Sequence, residues 1–287
     1  MRLLLAYQPP YDWAAMLGFL SARAVAGMEA VADGVYSRSI GLNGVHGTFS
    51  IRPVAGDALA VTLDFPDPEA VPQIVARLRR MFDLDADVPA IHRQLTADPL
   101  MARLIALHPG LRVPGAWDGL ELAVRAVLGQ QISVGAAIKL AGKLVAQYGQ
   151  SLQSSMPGLT HVFPDAAVLA EADLATLGMP KSRGRTLSGV AQALLDDPLL
   201  FDTGREGAVA RLLALNGIGD WTAQYIALRQ LREMDAFPSG DVGLINALAA
   251  LEGGAVTARD LLRRAEAWRP WRGYAAQVLW TSLSRMD

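Results

Sequence analysis

Trp221 and Tyr225 stand four positions apart, and Asp241 follows Trp221 by twenty. At helical spacing the two aromatics share a face, with Leu228 one further turn along. Asp241 comes directly after Pro238-Ser239-Gly240, a turn that breaks a helix, and before an apolar run from Val242 to Leu251 that reads as a new one. A carboxylate at that edge lies in the positive end of a helix dipole, which favours its ionised form. Fixed there, it can stabilise positive charge developing in a transition state and can orient a water. Electron-rich rings beside it attract a flat cation, each by on the order of 0.5–2 kcal/mol. The plainer readings are that Asp241 only caps a helix and that Trp221 and Tyr225 only fill a core; capping and catalysis are compatible in one residue. Asp235 is the nearest rival acid, but it precedes the Phe237-Pro238 break.

The elements that must position these groups begin at Leu212. A short apolar helix ends at Asn216, and Gly217-Ile218-Gly219 turns the chain so tightly that glycines are expected on both sides of a plugging isoleucine. Asp220 is expected to cap the second helix. The result is helix, hairpin, helix, with unpaired main-chain N–H groups at the second helix start that can cradle an anion such as a phosphate. A second corner lies upstream, where an apolar helix breaks at Gly129-Gln130-Gln131 and restarts after Ser133, a good N-cap. Its two glutamines carry donors and acceptors to whatever approaches, or are simply solvated.

The stretch GIGDWTAQY followed by FPSGD resembles the helix-hairpin-helix superfamily of DNA glycosylases, and matches at both ends of the chain narrow the likeness to the DNA-3-methyladenine glycosylase II family. The similarity runs over nearly the whole length. It implies a monofunctional glycosylase that flips an alkylated base (3-methyladenine or 7-methylguanine type) out of double-stranded DNA and hydrolyses its N-glycosidic bond, leaving an abasic site for base excision repair. In that frame Asp241 is catalytic, and Trp221, Tyr225, Trp280 and Phe19 line the base pocket. Gln130, Gln131, Gly217, Gly219 and Thr222 face DNA. Main-chain oxygens of Leu213, Leu215 and Gly217 would hold a structural sodium or potassium ion, no other cofactor being required. Lesions that are positively charged leave readily and need no strong general acid, and flipping is least costly for a damaged pair.

Some positions depart from the family pattern. Gln131 stands where an apolar leucine wedge is usual, and an apolar wedge is the commoner device. Val242 replaces a tyrosine and Gly240 an aspartate found in some relatives. Where bifunctional glycosylase-lyases carry a nucleophilic lysine this chain has Trp221, so a Schiff base route has no amine. Two rivals stay open: a glycosylase for another lesion, such as oxidised guanine or uracil, and a non-catalytic DNA-binding module that clamps phosphate.

Composition bounds these readings. The chain has 287 residues, 52% hydrophobic and 19% charged, as expected of a globular protein of two or three compact units. It contains no cysteine, which removes thiolate zinc sites and an iron–sulfur cluster and suits a reducing cytoplasm. His46, His92, His108 and His161 have no zinc-site spacing. A net charge of −2 argues mildly against DNA binding. Arg263, Arg264, Arg269 and Arg272 either offset this as a DNA-facing cluster or form a solvated helix face. No apolar run reaches membrane-span length, the opening MRLLLAY reads as a strand, and a monomer is expected.

The expected fold is an N-terminal α+β domain over residues 1–90, followed by mostly helical domains: 115–230 with the hairpin, and 91–114 plus 231–287 completing an active-site cleft between them. Strands are predicted over Arg2–Tyr7, Val35–Leu42, Val45–Val54 and Ala58–Phe65, with Asn43-Gly44 as a hairpin turn. Asp12 should cap a helix from Trp13, and Val71, Ile74, Val75, Leu78 and Phe82 mark another helix by one apolar stripe. Further on, a helix is predicted over Trp117–Leu128, one over Val134–Tyr148, and one capped by Ser182. No strand signal appears beyond about Pro89.

Overall fold

The structure is a computed structural model that describes residues 1–283. The first unit builds on five strands, β1 (Arg2–Ala6), β2 (Glu29–Ala32), β3 (Val35–Leu42), β4 (Val45–Val54) and β5 (Ala58–Asp64), in the spatial order β1-β5-β4-β3-β2 and antiparallel throughout. Asn43 and Gly44, at φ 52° and 76°, close the β3–β4 hairpin with Leu42 opposite Val45, as the primed turns require. Asp33-Gly34 makes the same turn at φ 51° and 76° between β2 and β3. Helix α1 (Trp13–Ser21), capped by Asp12, and helix α2 (Val71–Met81) supply the apolar cover. Ile74, Leu78 and Phe82 are fully buried against Tyr36, Phe49, Ile51 and Leu59.

The rest is helical: α3 (Val88–Leu95), α4 (Pro99–Leu107), α5 (Gly119–Leu128), α6 (Val134–Tyr148), α7 (Ala166–Glu171), α8 (Lys181–Asp196), α9 (Ala208–Leu213), α10 (Asp220–Ile226), α11 (Val242–Glu252), α12 (Ala258–Ala265) and α13 (Arg272–Leu283). Every residue of α5 except Arg125 is buried, as befits a helix apolar nearly all round. Around it Leu144, Leu187, Leu212, Ile226, Leu244, Trp268 and Leu279 form one continuous core, so helices from both expected helical units share a single apolar interior. Two short strands, β6 (Gln150–Ser151) and β7 (His161–Val162), pair within a stretch where only a loop was expected.

Three local expectations are corrected. Trp117 lies outside α5, which starts at Gly119 with Asp118 as its cap, and its indole instead plugs the sheet core 5.9 Å from Phe49. Ser182 sits inside the first turn of α8, whose N-cap is Pro180. Asp220 is likewise the first residue of α10, capped by Gly219 without a side-chain bond.

The sheet unit and the helical body are joined through buried charge. Glu29 on β2 accepts from Arg125 at 2.9 Å and from Tyr36 at 2.6 Å, while Arg38 on β3 meets Glu121 at 2.6 Å. Asp83 accepts from Arg232 at 2.5 Å and from the Tyr274 hydroxyl. Burial alone would raise the Glu29 carboxyl, but Arg125, Arg38 and two hydrogen bonds hold it below its ordinary value. With the folded value below the unfolded one, this contribution is complete above the ordinary carboxylate range and is lost as pH falls through the depressed value. We expect the melting temperature to drop on acidification below about pH 4.3, the ordinary glutamate value, and Glu29→Gln to lower it at neutral pH while flattening that acid slope. An unchanged slope in a calorimetric pH series would remove Glu29 from the account.

Candidate active site

Asp241 is the N-cap of α11, where its Oδ1 accepts from the Leu244 N–H at 2.9 Å. Two indoles complete its setting: Trp280 Nε1 donates to Oδ1 at 2.9 Å and Trp221 Nε1 to Oδ2 at 2.8 Å. An ionised carboxylate has about four lone-pair sites, and with two donors on Oδ1 and one on Oδ2 the free site lies on Oδ2. The group is half-buried, so it meets the cleft with its orientation already set. Gly243 keeps the space beneath it open, since a Cβ there would come within 3.0 Å of Oδ1.

The cleft has a volume of about 1550 Å³ and takes its walls from α1, α5, the Gly129–Ser133 corner, α10, the start of α11 and α13. Trp221 and Tyr225 stack with ring centroids 5.4 Å apart and planes 16° from parallel, and Trp280 stands edge-on to Tyr225 at 6.3 Å. Phe19 faces the same cleft from α1, so the N-terminal unit forms one of its walls and the site does not lie between helical units alone.

An unanticipated residue shares this space. Arg229, 3% exposed, sets its guanidinium 4.5 Å from the Phe19 ring centroid, 4.9 Å from Tyr225 and 5.2 Å from Trp280. It projects from a π-helical turn, Ala227–Leu231, that continues α10. Such turns insert an extra residue and recur at functional sites. The signal was present, since Trp221, Tyr225 and Arg229 recur every fourth position. Burial pushes the Arg229 guanidinium below its ordinary value, and nearby Arg23 and Arg232 act in the same direction. Arg23 itself lies 4.2 Å from the Phe19 ring centroid.

The hairpin and the glutamine corner form one assembly. Ile218 is buried while Gly217, Gly219 and Asp220 are exposed. Gly217 has φ +85°, and a Cβ on it would fall 2.1 Å from Thr186 Oγ1. Gly219, at φ −88° with open space around its Cα, carries no such constraint, so only the first hairpin glycine is required by backbone angle. Gln130 Nε2 donates to Gly217 O at 3.1 Å and to Thr222 Oγ1 at 3.0 Å, and Gln130 O accepts from Arg183 at 2.6 Å. Thr222 is only 2% exposed, which corrects its expected contact with DNA: it anchors Gln130 instead. Gln131 is exposed at the tip of the corner, at φ +59°.

The arginine cluster resolves to its plainer reading. Arg263 pairs with Asp260, Arg264 with Asp98 and Glu252, and Arg269 and Arg272 both with Asp235 and Glu266. Asp235 is thereby committed to this network as a structural acid.

A sheet unit ahead of a helical body, with a glycine hairpin and a capped carboxylate at an aromatic cleft, is the architecture of a base excision repair protein. The chain belongs to the HhH-GPD superfamily of base excision DNA repair proteins, whose model matches residues 124–272; the AlkA N-terminal domain matches residues 2–118. It is 37% identical to DNA-3-methyladenine glycosylase 2 of Escherichia coli, over 96% of this chain and 95% of that protein. It is 43% identical to the probable bifunctional transcriptional activator/DNA repair enzyme AlkA of Mycobacterium tuberculosis, over 99% of this chain but only 57% of that relative's length. Its fold matches the 3-methyladenine DNA-glycosylase from Archaeoglobus fulgidus with a TM-score of 0.87, 22% identity and coverage of 100% and 99% of the two chains.

Proposed function

We propose that the chain is a monofunctional DNA glycosylase that removes alkylated bases of the 3-methyladenine and 7-methylguanine type from double-stranded DNA and leaves an abasic site. The observation that carries this reading is the Asp241 carboxylate, aimed by three N–H donors at the rim of an aromatic cleft. Loss of a base builds positive charge on the sugar, and a preorganised anion beside that carbon stabilises it and orients the attacking water. The extruded base enters among Trp221, Tyr225, Trp280 and Phe19. None of the residues lining the cleft is a lysine, which supports hydrolysis over a Schiff base route.

On the DNA side, Gln131 fills the vacated stack from the exposed tip of its corner, and the exposed main-chain N–H groups around Gly217 and Gly219 meet a phosphate. Leu215 O already accepts from Ile218 N and Gly217 O from Gln130. Each carbonyl keeps a lone pair, so with Leu213 O they fit a sodium or potassium ion that would add fixed positive charge to the hairpin. No step of base release passes through it. Among the described residues no helix is long and apolar enough to cross a membrane, and the reading places the protein in the cytoplasm, as a monomer.

Single-turnover base release on a panel of lesion duplexes tests the proposal. Release of 7-methylguanine and 3-methyladenine with intact strands is expected, whereas release of 8-oxoguanine alone, or strand cleavage, would overturn it.

A further inference from the structure

Arg229 is at odds with a pocket built only to attract a flat cation. Its own guanidinium already occupies the space among Phe19, Tyr225 and Trp280, and an unpaired buried charge is costly to keep. Elsewhere in the described residues the buried arginines are answered: Arg38 and Arg125 meet carboxylates, and Arg112 is held by the carbonyls of Gln8, Pro10, Asp83 and Ala86. Arg229 has no carboxylate among the described residues. Its Nη1 donates to Pro114 O at 2.8 Å and its Nη2 to Gln277 Oε1 at 3.3 Å, while the buried Nε, beside the cleft, has no partner.

Trp280 links the two charged ends of the site. Its Nε1 donates to Asp241, and its ring lies against the Arg229 guanidinium. A base seated among these rings has its sugar towards the carboxylate and its far edge towards the cation. When the C–N bond breaks, both bonding electrons go to the base and positive charge appears on the sugar. For a neutral base the leaving group is then anionic, and a guanidinium at its edge stabilises it. For a base that begins cationic, the leaving group is neutral and the guanidinium gains little. Arginine does not surrender its proton. Water places its hydroxyl on C1′, and the remaining water proton ends on the departed base.

We propose that Arg229 is a specificity-determining residue that extends base release to neutral purines carrying a hydrogen-bond acceptor, such as a C6 carbonyl, on the edge away from the sugar. The inference rests on the glycosylase reading and adds a second substrate class to it. Cationic lesions, on this account, are selected by their intrinsic lability more than by attraction to the pocket.

Duplexes containing hypoxanthine, neutral with a C6 carbonyl, and 7-methylguanine, cationic in DNA, are mixed in one reaction below saturation. Rates are followed for the unmodified protein, Arg229→Gln and Arg229→Lys. Because both lesions meet the same protein sample, the ratio of their rates does not depend on the fraction folded. Arg229→Gln is expected to lower the hypoxanthine-to-7-methylguanine ratio by about 10-fold or more, on the scale of losing one charge-stabilising donor, and Arg229→Lys to restore part of it. Parallel losses on both lesions would make Arg229 merely structural and overturn the proposal. So would an unmodified protein that releases 7-methylguanine but no hypoxanthine. An unmodified protein that releases neither overturns the glycosylase reading itself, and this inference with it.

Discussion

Asp241→Asn is expected to lower single-turnover base release by about 10²- to 10³-fold, the cost typical of deleting one preorganised electrostatic group from an active site. The substitution is nearly isosteric. The amide oxygen can still accept from the Leu244 N–H and from Trp280 Nε1, so the cap on α11 and its local fold survive. What changes is charge, and the other end of the group. An NH₂ placed where Oδ2 now accepts from Trp221 Nε1 sets donor against donor. The second indole therefore loses its anchor and the sugar loses its anion. Because the phosphate-facing amides and the Gln131 corner do not involve Asp241, affinity for a lesion duplex should stay close to that of the unmodified protein. Base release measured beside fluorescence anisotropy separates the two effects. Full activity in the variant would return Asp241 to the role of a plain helix cap, and would favour the reading in which the hairpin only clamps phosphate.

The parts of this site that were legible in the sequence are those where local chemistry and global fold agree. Asp241 follows a Pro-Ser-Gly break and precedes an apolar run, so its cap position could be read directly, and the capping bond is present. Asn43-Gly44 demands a primed turn and makes one. Illegible features are those where distant residues override a local pattern. Trp117 matches the stripe of α5 but is drawn off by the aromatic core of the sheet at Phe49. β2 went unseen because Glu29, a charged residue in a four-residue strand, reads as solvent-facing until Arg125 and Tyr36 arrive from elsewhere in the fold. Arg229 was hidden for a related reason: an arginine on an amphipathic helix is ordinarily a surface residue. The π-helical turn, which no simple 3.6-residue count anticipates, belongs to the stretch that buries it beside the cleft. The arginines near the C-terminus show the converse, a basic run whose acids, Asp98, Glu252 and Asp235, sit far away in the chain.

Gly217→Ala is the second substitution expected to have a large effect, and it acts through geometry alone. The native backbone holds φ at +85°, which costs an alanine on the order of 1–2 kcal/mol. The new methyl would also lie 2.1 Å from Thr186 Oγ1, 2.8 Å from Cγ2 and 3.0 Å from Cβ, so α8 or the hairpin must move. Movement has a functional consequence, because Gly217 O is one of two acceptors that pin Gln130, and Gln130 leads directly into the exposed Gln131. The hairpin amides and the tip of the corner would lose their relative position together. Duplex affinity is expected to fall by at least about 10-fold, equivalent to about 1.4 kcal/mol, with a lowered melting temperature. Adding Thr186→Ala removes Oγ1 and Cγ2 but leaves φ unchanged, so the double variant should recover the steric part of the loss and keep the backbone part. If Thr186→Ala rescues nothing, the contact with α8 is not what holds the hairpin in place. If Gly217→Ala binds lesion DNA as tightly as the unmodified protein, then the coupling of hairpin to glutamine corner is not needed for recognition.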